Sequence, residues 1–174
     1  MDFKKSSGTF LLHPASYGLF TGILTCVYFF VFYTINKKLF FNPLVFWSSF
    51  LFLFISFGIV FILYRQKSIP FPFKIALRNF FLIFFLNSAL YHFFYFVMMH
   101  YIDNQMIDVQ YNLINEGLKT NKILLAEEQQ TAWNISKEEL EKNIKAGTIG
   151  FSFIQGLPAG FLISLLAAYL LKKE

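Results

Sequence analysis

The sequence predicts an all-α polytopic membrane protein: four transmembrane helices, with an amphipathic helical hairpin outside the bilayer between the third and the fourth. Three observations predict it. Of 174 residues, 56% are hydrophobic and only 14% charged, against roughly 25% charged in a soluble domain, and a chain of this size has too little interior to hide 26 Phe from water. Four separate stretches of about 20 residues contain no Asp, Glu, Lys or Arg, the length a helix needs to cross a hydrocarbon core about 30 Å thick. All ten acidic residues lie outside those stretches, and eight of them fall between the third and the fourth. A soluble enzyme is thereby excluded. The one cysteine, Cys26, excludes a disulfide framework, a multi-cysteine zinc site and an iron–sulfur cluster. The chain reads as a single membrane domain, residues 1–174.

The spans run from Tyr17 to Ile35, Leu44 to Tyr64, Phe80 to Met99 and Ile149 to Leu171. In lipid every backbone polar group needs a partner, and a helix supplies one within the segment. A transmembrane barrel does not fit, because its strands alternate polar with apolar residues. Lys4 and Lys5 before the first span resemble the start of a signal peptide, but the apolar run is too long and no small-residue cleavage pattern follows it. Asn42 and Pro43 open the second span, where Asn caps free N–H groups and Pro at the first position loses no hydrogen bond. Pro70 and Pro72 interrupt the chain before the third, so Arg65 to Asn79 reads as a short polar crossing. Asp103 to Thr148 is the one sizeable segment outside the bilayer.

Within that segment Ile107, Tyr111, Ile114 and Leu118 recur at steps of four, three and four, which is one face of an amphipathic helix over Gln105 to Ala126. Ser136 and Glu139 have the spacing of a capping box, so a second helix carrying Leu140 and Ile144 is expected to lead into the fourth span. Two uses of the apolar face follow from general physics. It lies on the bundle or among the headgroups, or it docks onto another membrane protein.

In the fourth span Ser152, Gly156, Gly160, Ser164 and Ala168 recur every four residues, a stripe of small side chains, and Gly18, Gly22 and Cys26 make a shorter one in the first. Lipid offers no hydrophobic drive for helix association, so close van der Waals approach across small residues supplies it. The stripes predict that the first and fourth spans meet, within one chain or across a homodimer. Pro158, inside the long stripe, removes a backbone hydrogen bond and is expected to bend the helix. Asn87, Ser88, Tyr91 and His92 on the third span, with Gln155 on the fourth, are the polar side chains within the spans that merit attention as a site. Such groups bond across helices, or they line a path for a proton or ligand.

The ten acids are all outside the spans, whereas proton-coupled carriers usually hold an ionisable acid in the membrane. His13, His92 and His100 lack metal-ligand spacing, and no nucleophile elbow, phosphate loop or dinucleotide fingerprint occurs. No catalytic residue, metal or cofactor is therefore expected. The chain resembles a family of small four-span bacterial inner-membrane proteins common in Bacteroidota, the domain of unknown function 4199. The resemblance rests on Tyr17-Gly18-Leu19 with Gly22, Tyr91, Tyr101-Ile102-Asp103, the acidic hairpin, and Pro158, Gly160, Ile163-Ser164-Leu165 and Ala167-Ala168 before Lys172-Lys173. It implies a location in the inner membrane and a connection to lipid-linked envelope glycan assembly, and it transfers no active residue.

Eight basic residues (Lys4, Lys5, Arg65, Lys67, Lys74, Arg78, Lys172 and Lys173) share one side of a four-span topology, which the positive-inside tendency assigns to the cytoplasm. Both termini are then cytoplasmic and residues 103–148 periplasmic. The latter carry a net charge of −3 and the remainder +8, so anionic headgroups, and not nucleic acid, match the basic excess. The expected function is a non-catalytic accessory or structural subunit of an envelope membrane complex, with the lipid bilayer and a membrane-protein partner or a second copy as its contacts. The alternative is a small dimeric transporter or lipid-handling protein. With Cys26 changed to Ser, single cysteines at Asn42, Ser68 and Glu128 report sidedness, and Ser68 alone is expected to resist an impermeant reagent added outside.

Overall fold

The structure, a computed structural model, describes residues 13–66, 70–121, 139, 141–142 and 145–172. Its regular elements are helical: α1 Pro14–Ile35, a 3-10 turn Lys37–Phe41, α2 Pro43–Gln66, α3 Phe73–Val97 continued by a π turn Met98–Ile102, α4 Met106–Asn121 and α5 Ala146–Leu171. Four of these, α1, α2, α3 with its π turn, and α5, are long and apolar enough to cross a bilayer. Their outward faces carry Phe20, Leu51, Phe54, Leu162 and Leu170 exposed. Such an apolar surface is a liability in water and the ordinary state of a helix in lipid. The chain is a multi-pass membrane protein.

Two boundaries depart from expectation for local reasons. α3 starts at Phe73 and not at Phe80, so Lys74, Arg78 and Asn79 belong to the helix and not to a polar crossing. The extended Pro72 caps it, its carbonyl accepting from the N–H groups of Ile75 and Ala76 at 2.9 and 3.0 Å. Charged residues in the first turn put their heads at the water boundary while the helix is already formed, which a search for uncharged runs does not see. At the other end the backbone changes to i−5 bonding, Asp103 N–H donating to the Met98 carbonyl at 3.0 Å. The wider turn leaves Met98 and Met99 fully buried and the chain leaving the bundle toward α4.

α3 is the central helix. Both α1 and α5 pack along it, and α1 and α5 are not packed along one another. The pairing of first and fourth spans within one chain is thus corrected: each small-residue stripe receives bulky side chains of α3 in place of the other stripe. A methyl group added at Gly18 would lie 2.9 Å from Leu86 Cβ and 3.1 Å from Ile83 Cα; one at Gly22 would lie 2.6 Å from Leu90 Cδ1. On the opposite flank the Phe84 ring sits against Gly160, 1.9 Å from where a Cβ would be. The stripe of α5 is only half used. Gly160, Ser164 and Ala168 are buried, whereas Ser152 is exposed and Gly156 has open space beside it. The change falls at Pro158, inside an otherwise continuous helix.

Hydroxyls join α1 to α2 through Thr21 with Ser56 and through Tyr28 with Ser48, the latter at 2.6 Å. Thr21 and Thr25 also bond the carbonyls four residues back, at 2.6 and 2.9 Å, so neither hydroxyl is orphaned in oil. Apolar packing divides into two clusters: Phe29, Phe40, Val45, Met98, Met99, Met106 and Ile149 toward the α4 end, and Leu53, Phe57, Phe71, Phe80, Ile83, Phe84 and Ala168 toward the other.

α4 folds back onto the first cluster. Ile107, Tyr111 and Ile114 are half-buried there, and Tyr95 donates to Gln110 Oε1 at 3.2 Å. Of the two uses open to this face, the one on the chain's own bundle is the one these three residues show, because Met98 and Met99 of the π turn and Met106 at the start of α4 belong to that same cluster and keep the helix against it; the docking of a partner is not seen for them. The Leu118 side chain, residues 122–126 and the expected second helix with Ser136, Leu140 and Ile144 lie outside the described residues.

Gly18→Val and Gly22→Val are expected to lower stability by about 1–3 kcal/mol each, the usual cost of overpacking, while Gly156→Ala leaves it unchanged. Unfolding of the purified variants in mild detergent, followed by circular dichroism, checks this order.

Candidate functional site

Between the two apolar clusters α2, α3 and α5 stand apart and enclose a cavity of about 390 Å³. Asn87, about midway along Phe73–Ile102, marks its depth in the bilayer. Asn87, Ser88, Tyr91 and His92 occur at i, i+1, i+4 and i+5, so two adjacent rows of α3 bring them to the same wall. Phe46, Trp47, Ser49 and Phe50 of α2 and Ser152, Gly156, Ala159, Gly160 and Ile163 of α5 form the others, with Thr25 of α1 behind Asn87. Trp47 is 67% exposed, so the cavity meets the lipid sideways between α2 and α5.

The polar wall is partly bonded. Thr25 Oγ1 lies 3.0 Å from Asn87 Oδ1 and 2.9 Å from the Thr21 carbonyl, so its single hydrogen is shared between them. The amide N–H groups of Asn87 and the hydroxyl of Tyr91 have no hydrogen bond within the described residues. His92 Nδ1 is 2.8 Å from the Ser88 carbonyl, which can only accept. Nδ1 therefore carries a proton, and in the neutral ring Nε2 is left as an acceptor. The rings hold this geometry: Phe29 and Phe46 lie 4.9 and 6.1 Å from Tyr91, and Phe153 lies 5.5 Å from His92.

Four of the five polar residues singled out in the sequence are brought together. Gln155 is not: it is exposed on α5 and absent from the lining, being one residue, about 100° around the helix, from the row Ser152, Gly156, Gly160. Of the stripe residues Ser152, Gly156 and Gly160 line the cavity, whereas Gly18, Gly22, Ser164 and Ala168 serve packing. Thr25 and Ser49 were not foreseen. The signal for Thr25 is its place one turn beyond Thr21 and beside Cys26 in the short stripe. Chemically the wall offers hydroxyl and amide donors and one imidazole acceptor with no formal charge, set in apolar surroundings. Among the described residues no three His, Cys, Asp or Glu side chains come together in metal-binding geometry.

A model of a family described as "Protein of unknown function (DUF4199)" matches residues 16–173. The chain belongs to the DUF4199 family. No curated protein and no solved structure matches it. In this DUF4199 protein the match begins just ahead of the short stripe and takes in the cavity, α4 and the long stripe alike.

A second polar cluster lies just beyond the ends of the apolar spans, at the α4 end of this DUF4199 chain. Asp103 Oδ2 takes Lys37 Nζ at 2.5 Å and the Tyr33 hydroxyl at 3.0 Å, while Oδ1 accepts from Gln105 N–H at 3.0 Å, an Asx turn that opens α4. Lys38 pairs with Glu116 at 3.2 Å, both exposed. The link between α1 and α2 is thereby tied to the link between α3 and α4, which puts the two at the same end of the bundle. Sequence reading missed Asp103 because its partners are 66 and 70 residues away in the chain. The Lys37 ammonium, helped by Tyr33 and the Gln105 N–H, holds the Asp103 carboxyl below its ordinary value of 3.8. The same bond holds Lys37 above its ordinary 10.5.

A depressed carboxyl contributes stability that is present above its unfolded value and is lost as the pH falls through the folded one; a raised lysine contributes stability that is lost as the pH rises through its folded value. The pair is thus intact across the neutral range and fails only below about 3.8 or above about 10.5. Asp103→Ala is expected to cost about 1 kcal/mol through the lost turn acceptor, with faster amide exchange at Gln105 and Met106. Asp103→Asn keeps that acceptor and costs less, and its difference from wild type shrinks as the pH falls below 3.8 toward the lower folded value.

Proposed function

We propose that the protein binds an uncharged amphiphile from the bilayer, bearing a hydroxyl or carbonyl group, in the lateral cavity, and handles it without chemistry of its own. The observation that carries this reading is the composition of the cavity wall. A space of about 390 Å³ is within the range of small-ligand sites, which are mostly apolar with a few convergent polar groups. The unpaired Asn87 N–H groups, the Tyr91 hydroxyl and His92 Nε2 suit a neutral polar group. The aromatic walls and the room beside Gly156 suit its hydrocarbon. A phosphate or carboxylate would meet no cation among the lining residues.

A second reading, an accessory subunit whose partner helix or second copy seats on α5, is favoured by the exposed Ser152 and the open Gly156, small residues at a depth where close helix approach is the available attraction. Lys and Arg distribution supports an inner-membrane orientation with cytoplasmic termini and a periplasmic α4.

Trp47 lines the cavity, and Trp133 is the only other tryptophan. In a Trp133→Phe background, reconstituted with a dibrominated long-chain alcohol, Trp47 fluorescence is expected to show a saturable quenching component at low mole fraction. Gly156→Leu and Asn87→Leu abolish it. Linear quenching that neither variant alters removes the ligand reading. A photo-crosslinker placed at Gly156 that captures a protein, and no lipid, moves the weight to the second reading.

A further inference from the structure

We infer that the protein carries a separate binding site for one anionic glycerophospholipid, at the end of the bundle opposite α4, on the seam between α3 and α5. Lys74 and Arg78 stand four residues apart, one above the other on the first turns of α3, and both are exposed. Among the described residues neither has an ion pair or a hydrogen-bond partner. The positive end of the α3 dipole adds to their field. Below them a trough of about 420 Å³ descends into the hydrocarbon, lined by the stems of both cations and by Ile75, Leu77, Phe81 and Phe161.

The trough is built across two helices. Phe81 and Phe161 meet edge to face at 5.8 Å and form its floor. A cationic pair at the water boundary continuous with an apolar channel toward the membrane interior is complementary to one molecule: a phosphodiester headgroup at the mouth and an acyl chain along the channel. Basic pockets between membrane helices recognise anionic headgroups in this way. The two parts argue together. Scattered surface lysines would attract anionic lipid in general, and an apolar seam alone would hold any lipid tail, whereas Lys74, Arg78 and the trough below them select charge and hold one chain at once. This site is distinct from the neutral cavity, shares no lining residue with it, and stands whether or not that cavity binds a ligand.

The test titrates the full-length protein, purified in mild detergent, with dioleoyl phosphatidylglycerol and separately with dioleoyl phosphatidylcholine, and counts bound lipid by native mass spectrometry. One phosphatidylglycerol is expected to be retained with a preference of about tenfold or more over phosphatidylcholine, on the scale of two basic residues near a headgroup. Lys74→Gln with Arg78→Gln removes the preference. Lys172→Gln, at the same end of the bundle, leaves it in place. Leu77→Trp, which fills the trough without touching a charge, weakens retention of the lipid. Equal retention of the two lipids, an unchanged preference in the double variant, or full displacement by millimolar inorganic phosphate would overturn the inference.

Discussion

In a solvent as apolar as the side chains themselves, helices are held by contact and by the few hydrogen bonds that cross between them. Here the contact is glycine against a bulky neighbour. Gly18 and Gly22 let α1 come down onto Ile83, Leu86 and Leu90, and Gly160 gives the Phe84 ring its seat on the other flank. α3 is therefore clasped from two sides. Threonine, serine and tyrosine hydroxyls then fasten α1 to α2, each of these hydroxyls finding a partner.

The cavity is a consequence of the same arrangement. Glycine seats a ring of α3 at Gly160, beyond Pro158; before it Phe153 still reaches Phe85 and His92, but Ser152 and Gly156 leave a space that neither apolar cluster fills. Polar side chains are tolerable at that depth because Thr25 bonds Asn87 and the Ser88 carbonyl holds His92. What would be a packing defect in a water-soluble core is here a space open sideways between α2 and α5.

The number and approximate limits of the membrane helices could be read from the sequence, since a bilayer demands long uncharged runs and the chain supplies four. The amphipathic face of α4 was equally visible in Ile107, Tyr111 and Ile114. Its use was not, because a periodicity states that a face is buried without stating by what. Equal spacing of small residues in two spans invited their pairing, yet a notch is filled best by a protrusion, and the protrusions stand on α3. Asn87, Ser88, Tyr91 and His92 were legible as a group because one helix carries them all. Thr25 and the Lys37–Asp103 pair join distant segments, and such contacts follow from topology, which spacing along one chain does not encode.

Phe84 belongs at once to the seat on Gly160 and to the wall of the cavity. Trimming that one ring would therefore loosen the packing of α5 on α3 and enlarge the space at the same time.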